Sequence, residues 1–162
     1  MPSFAQTLRV INSMRDEGVI ENYAVAGAMA VLFWAEPIPT YDLDLLVFLP
    51  SSGPILSLAP IYEWARRNDY PTEREHVIVE GTPVQFLPTH NELGDEAINT
   101  AAMKLYGGVS VRVVRPEYLI ALYLEGSAKT PKRRERAAAL RDLGIIDESL
   151  LQDVMTRFKL TF

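Results

Sequence analysis

The chain has 162 residues, long enough for one sizeable core, with 48% apolar residues and a net charge of −5. It has no cysteine, which excludes disulfides, zinc–thiolate sites and thiol nucleophiles. No apolar run reaches the ~18 residues of a membrane span, and no basic segment leads into an apolar block at the N-terminus, so a cytoplasmic protein without membrane contact is expected. The charge is uneven. Residues 1–100 carry five Lys/Arg against fourteen Asp/Glu, whereas residues 101–162 carry eleven against seven. An acidic front half suits a metal, and a basic back half suits a polyanion such as a nucleotide or RNA.

Ser3 with Gln6 forms a capping-box pattern, and Phe4, Leu8, Ile11 and Met14 then recur at helical spacing until Gly18. Tyr23–Ala26 reads as a short buried strand that Gly27 breaks. Ala28–Ala35, small or apolar all round, reads as a buried helix that Pro37 and Pro39 prevent from continuing. Asp42–Leu49 is the next strand, followed by a turn-rich 50–54. Leu58, Ile61, Tyr62 and Ala65 line one face of a helix that admits Pro60 only in its first turn. His76–Glu80 and Pro83–Leu87 form a hairpin around Gly81-Thr82. Glu92–Asn99 is a short helix. Met103–Tyr106 and Val109–Val114 flank Gly107-Gly108, the strongest hairpin signal of the chain. Three helices close it: Pro116–Glu125, Pro131–Leu143 and Asp147–Phe158. Trp34, Trp64, Tyr62, Tyr106 and Tyr118 read as core, and His76 and His90 as structural or surface residues without metal-ligand spacing. The reading is α+β: a mixed sheet with flanking helices over residues 1–114 and a C-terminal helical region, 115–162.

The chemistry concentrates at Asp42-Leu43-Asp44. Residues two apart in a strand leave the same face, ~7 Å apart, so both carboxylates share one side while Leu43, Leu45 and Val47 share the other. Two adjacent acids repel unless a cation or proton lies between them, and a divalent metal serving phosphoryl chemistry is a common reason to keep the pair. Lys129, Lys132, Arg133, Arg134, Arg136 and Arg141 crowd thirteen residues against a single acid, Glu135, which makes either a solvated helix face or a contact for a triphosphate or RNA.

Gly27, a spacer with Glu36-Pro37 and Thr40, and then Asp42-x-Asp44 resemble the nucleotidyltransferase superfamily, and within it the minimal bacterial branch of AbiEii-type and MenT-type toxins. Glu80–Pro88 resembles that branch's second pair of strands, and Arg115–Leu122 the helix opening its C-terminal part; the resemblance spans roughly residues 20–145. It implies transfer of a nucleoside monophosphate from a Mg²⁺-bound (or Mn²⁺-bound) nucleoside triphosphate to RNA, such as tRNA, or to a protein. Asp42 and Asp44 would be the catalytic metal ligands. Gly27 and Ala28 would present backbone N–H groups to the phosphates, and Thr40 and Lys132 would complete the nucleotide site.

The departures point the other way. The position of the family's third acid is held by Gln85, which carries no charge and accepts no proton. Tyr123 stands where near relatives tend to have Lys, and of a Lys-Asp pair only Lys132 is kept, beside Arg133. A general base contributes ~10²–10⁴-fold in rate. The alternative is therefore a degenerate fold acting as a binding or regulatory module, in a toxin–antitoxin-like pair with an antitoxin-like partner. A haloacid-dehalogenase-type phosphatase, which also uses Asp-x-Asp, needs its acids at the end of a strand, whereas here the apolar run follows them.

Overall fold

The computed structural model describes residues 4–35, 41–50, 57–125 and 130–162. Its elements in chain order are α1 (Phe4–Asp16), β1 (Asn22–Ala26), α2 (Gly27–Val31), β2 (Leu43–Phe48), α3 (Ala59–Arg67), β3 (Thr72–Glu73), β4 (His76–Val79), β5 (Thr82–Pro88), α4 (Glu92–Asn99), β6 (Ala102–Tyr106), β7 (Val109–Val113), α5 (Pro116–Tyr123), α6 (Pro131–Asp142) and α7 (Glu148–Arg157). The capping box at Ser3, the Glu36–Thr40 spacer, the 51–54 turn and Lys129 lie outside the described residues.

The seven strands make one mixed sheet in the order β3-β4-β5-β2-β1-β7-β6. β2 is central, antiparallel to β1 and parallel to β5. Its residues alternate as the sequence pattern requires: Leu43, Leu45 and Val47 are buried, while Asp44, Leu46 and Phe48 are half-buried. Asp42 precedes the strand, which begins one residue later than expected. Both glycine-bearing hairpins are tight. Glu80 and Gly81 have φ of 50° and 82°, and Gly107 and Gly108 have 54° and 79°, the left-handed pairs that suit the twist of two-residue hairpin turns.

Helices cover both faces. On the Leu43 face, the Thr7 hydroxyl of α1 donates to the Val79 carbonyl at 3.0 Å and stands 3.0 Å from the Thr82 hydroxyl. On the Asp44 face, α4 and α5 border a cavity together with Leu46 and Leu87. Helix α5 is buried nearly all round and packs against α4, α6 and α7. The Asp147 backbone N–H at the start of α7 donates to the buried Glu117 carboxylate at 3.4 Å. Arg157 reaches Glu96 on α4 at 2.7 Å, and Tyr118 donates to the same carboxylate at 2.8 Å. Two aromatic expectations fail: Tyr62 and Tyr106 are exposed, whereas Trp64 and Tyr118 are buried. In α3 the inward positions are Ile61, Trp64 and Ala65, which turns Tyr62 outward. Tyr106 ends β6, an edge strand, where it packs on Phe4 with ring centroids 4.9 Å apart. None of the described helices is long and apolar enough to cross a membrane.

Candidate functional site

Strand β1 ends at Ala26, which pairs with Asp44 across the β1–β2 ladder. The chain must then leave the sheet at once to enter α2, and it does so at Gly27 with φ of +61°. A Cβ at this position would lie 2.5 Å from Asp44 Oδ2, inside any permissible contact. The glycine corner and the second acid are therefore in direct contact, and only a residue without a side chain fits between backbone and carboxylate. Ala28 follows in the first turn of α2, whose N-cap residue Ala26 makes no side-chain cap. The N–H groups of a first helical turn have no intrahelical acceptor.

Asp44 is half-buried, and its pKa is raised above the ordinary carboxylate value, chiefly by burial, then by the negative charge of Asp42, with His76 pulling it partly back. Asp42 is more open, its side chain 53% exposed, with Oδ2 3.6 Å from Nε2 of His76. Across β2–β5 the residue opposite Asp44 is Gln85, and across β5–β4 the residue opposite Gln85 is His76. Opposed residues in neighbouring strands share a face. Asp44, Gln85 and His76 thus form one transverse row, with Asp42 at its front. Among the described residues, no three His, Asp or Glu side chains already stand together as a metal cage.

Gly27 and Asp44 open onto a cavity of about 300 Å³ between the sheet, α4 and α5. Its other polar lining residues are Thr89, His90, Asn91, Tyr123, Glu125 and Arg133. Asn91 caps α4 by accepting the Gly94 N–H at 2.9 Å, and its amide donates to Glu125. Arg133 donates to the carbonyls of Leu122 at 2.6 Å and Tyr123 at 3.2 Å, closing the C-terminal end of α5, and its guanidinium lies 5.4 Å from the Tyr123 ring centre. Tyr123 is 6% exposed. Burial pushes its hydroxyl pKa up, and the Arg136 guanidinium, which stands within hydrogen-bonding reach, and Arg133 offset part of that shift.

Of the residues singled out in the sequence, the structure brings together Gly27, Asp44 and Gln85, with Asp42 one step in front. Lys132 is exposed on α6 and does not line the cavity; its neighbour Arg133 does. Thr40 lies outside the described residues. Sequence reasoning passed over His76, because its neighbourhood to Asp42 depends on strand order and not on spacing. Oxygen donors such as the two carboxylates match a hard divalent cation.

No protein-family model matches the chain, and no curated protein matches it in sequence. Solved structures do. The solution structure of the antibiotic-resistance factor ANT(2'')-Ia is 15% identical with a TM-score of 0.56, over 96% of this chain and 90% of that one. A crystal structure of ANT(2'')-Ia in complex with adenylyl-2''-tobramycin gives 15% and 0.54, over 96% of each. An antigenic nucleotidyltransferase-like protein from Paracoccidioides brasiliensis gives 15% and 0.55, over 94% of this chain and 85% of that one. The chain has the α+β fold of nucleotidyltransferases.

Proposed function

We propose that this chain binds a nucleoside triphosphate with a divalent cation and transfers the nucleoside monophosphate to an acceptor. The observation that carries this reading is the contact between the Gly27 corner and the Asp44 carboxylate at the mouth of a cavity lined by Arg133. Asp42 and Asp44 would hold the cation, Mg²⁺ or Mn²⁺. Once bound, such a cation neutralises phosphate charge and orients the triphosphate. Gly27 lets the phosphates approach the backbone, with the N–H groups of Gly27 and Ala28 as donors. Arg133 offers a planar cation held rigidly by two carbonyls, and the Tyr123 hydroxyl offers a hydrogen-bond donor.

The acceptor is a hydroxyl-bearing molecule. The AbiEii/MenT-like resemblance favours RNA or protein, with an antitoxin-like partner, whereas the ANT(2'')-Ia complex holds adenylyl-2''-tobramycin. Gln85 beside Asp44 favours a second reading, a nucleotide-binding module without turnover, because an amide cannot take the acceptor's proton. Calorimetry with Mg²⁺ and ATP, GTP, CTP or UTP tests binding. Wild type should bind at least one of them, and Asp42→Ala/Asp44→Ala should weaken it at least tenfold; equal binding by the double variant removes the site. Labelled triphosphate with bulk tRNA then separates the readings. Label transfer abolished by Asp44→Asn supports the transferase, and binding with no labelled acceptor supports the module.

A further inference from the structure

A second cavity, of about 430 Å³, opens beside Thr82 of β5 and shares no described lining residue with the one at Asp44. Four aromatic side chains line it: Phe4 from α1, Phe33 just beyond α2, Tyr41 before β2 and Tyr106 at the end of β6. Tyr106 meets Phe4 edge-on with ring centroids 4.9 Å apart, and Phe33 at 6.2 Å, so three of the rings are packed on one another. Tyr41 is different. It leaves 85% of its surface exposed, a large ring at the rim with little protein to cover it. Among the described residues no charged side chain lines the cavity, and the Thr82 hydroxyl is already hydrogen-bonded to that of Thr7. An aromatic-walled cleft of this size suits a flat, uncharged ring, and it offers a phosphate nothing to offset lost hydration.

Its place in the chain ties this cavity to the acid pair. Tyr41 immediately precedes Asp42, Met29 is two residues past Gly27 in α2, and Pro83 is two residues before Gln85 on β5. The segments that carry the proposed cation and phosphate contacts therefore also wall the cavity. Neighbouring Cα atoms are ~3.8 Å apart, so a substrate held at Asp42 has the Tyr41 rim beside it. We propose that this cavity holds the base of the nucleoside triphosphate, stacked against Tyr41, while the phosphates lie at Gly27 and the two acids. This rests on the reading of Asp42 and Asp44 as the cation-and-triphosphate site. Its consequence is nucleotide choice. Stacking senses ring area and not edge pattern, because every base presents a π-face. ATP and GTP then bind alike, and both bind more tightly than CTP and UTP. The Asp44 cavity is left to the phosphates and the acceptor.

The test is calorimetry on the full chain with Mg²⁺ and ATP, GTP, CTP, UTP or tripolyphosphate, which has the phosphates and no base. Wild type should bind ATP and GTP within about threefold of each other, and both at least about tenfold more tightly than tripolyphosphate. Tyr41→Ala should weaken ATP and GTP about tenfold, within the range for loss of one stacked ring, and leave tripolyphosphate within about twofold. Tyr41→Phe, which keeps the ring, should restore the wild-type affinity. So exposed a side chain has little part in the fold, and unchanged thermal midpoints of both variants check this. Equal ATP binding by wild type and Tyr41→Ala, or a preference of about tenfold or more between ATP and GTP, would overturn the base assignment and leave the Asp42–Asp44 site standing. No binding of any triphosphate, or binding indifferent to Asp42→Ala/Asp44→Ala, would overturn both.

Discussion

The two faces of β2 carry residues from one short stretch and follow opposite rules. Leu43, Leu45 and Val47 are fully buried in a dry core, where every atom is fixed by its neighbours. Asp44 and Leu46, one position out of phase, border a cavity that also holds Tyr123 and Arg133. The hydroxyls buried on the dry face, Thr7 and Thr82, are hydrogen-bonded. The cavity face keeps a carboxylate with a raised pKa, and α5 adds to it the nearly buried Tyr123. Stability is built on one side of the strand, and the other side keeps polar groups that a compact protein has no structural reason to bury.

The largest effect that should separate the faces is a truncation. Leu45→Ala removes a fully buried side chain from the central strand and should destabilise the protein by roughly 3 kcal/mol, within the ~2–5 kcal/mol of such changes. Leu46→Ala, at the cavity, should cost less than half as much, because the space it leaves is continuous with one already there. Urea unfolding of both variants decides it, and equal losses would erase the contrast.

Gly27 offers a sharper test, since it can be compared with Gly18. Both have positive φ, +61° and +79°, but a Cβ at Gly18 meets nothing within 4 Å, whereas at Gly27 it meets Asp44. Gly18→Ala should show only the backbone strain of ~1–3 kcal/mol. Gly27→Ala should add displacement of the Asp44 carboxylate, and with it a tenfold or greater loss of Mg²⁺-triphosphate affinity by calorimetry. Unchanged affinity at similar strain would mean that the corner serves only the fold.

A smaller contrast lies within α6, between two adjacent cations. Arg133→Gln should weaken triphosphate binding about tenfold, in the range of one charge-assisted contact, and lower stability by about 1 kcal/mol through the lost bonds to Leu122 and Tyr123. Lys132→Gln, on an exposed position, should change neither by more than about twofold in affinity. The reverse outcome, measured in the same titrations, would return the phosphate contact to Lys132.

What could be read from the sequence was whatever is encoded locally. The alternation of β2, the Gly107-Gly108 turn and the proline-initiated α5 and α6 depend on neighbours in sequence, and the structure has them within a residue or two. Strand β3, two exposed residues long, has no alternation to detect. The choice between Lys132 and Arg133 turns on helical phase against α5, and one residue rotates a side chain by about 100°. The nearness of His76 to Asp42 is carried by β5 inserting between β4 and β2, a long-range arrangement that leaves no trace in spacing. The position of Gln85 was reached through a family resemblance; the register then shows what stands beside it.

The smallest effect concerns the charge on Asp44 itself. Its native pKa lies above the ordinary carboxylate value, because burial and Asp42 both oppose ionisation. In the unfolded chain neither acts, so the unfolded state releases this proton at lower pH than the native state does. Below the unfolded value both states hold the proton and there is no penalty. The penalty develops as pH rises from the unfolded value to the raised native one and is complete above the latter. Asp44→Asn should therefore raise the thermal midpoint at pH 7 in the absence of divalent metal, by about 2–4 °C for each kcal/mol relieved in a chain of this size, and the gain should vanish towards pH 3.5. Adding Mg²⁺ and triphosphate should reverse the order at pH 7, since a ligand that binds only the folded state stabilises it in proportion to the logarithm of its saturation, and only the carboxylate can use that term. Scanning calorimetry of both proteins, with and without ligand at the two pH values, tests this in eight measurements. A variant that gains nothing without metal would show that Asp44 is no less stable ionised here than in solvent, and the case for a cation held against it would lose its electrostatic motive.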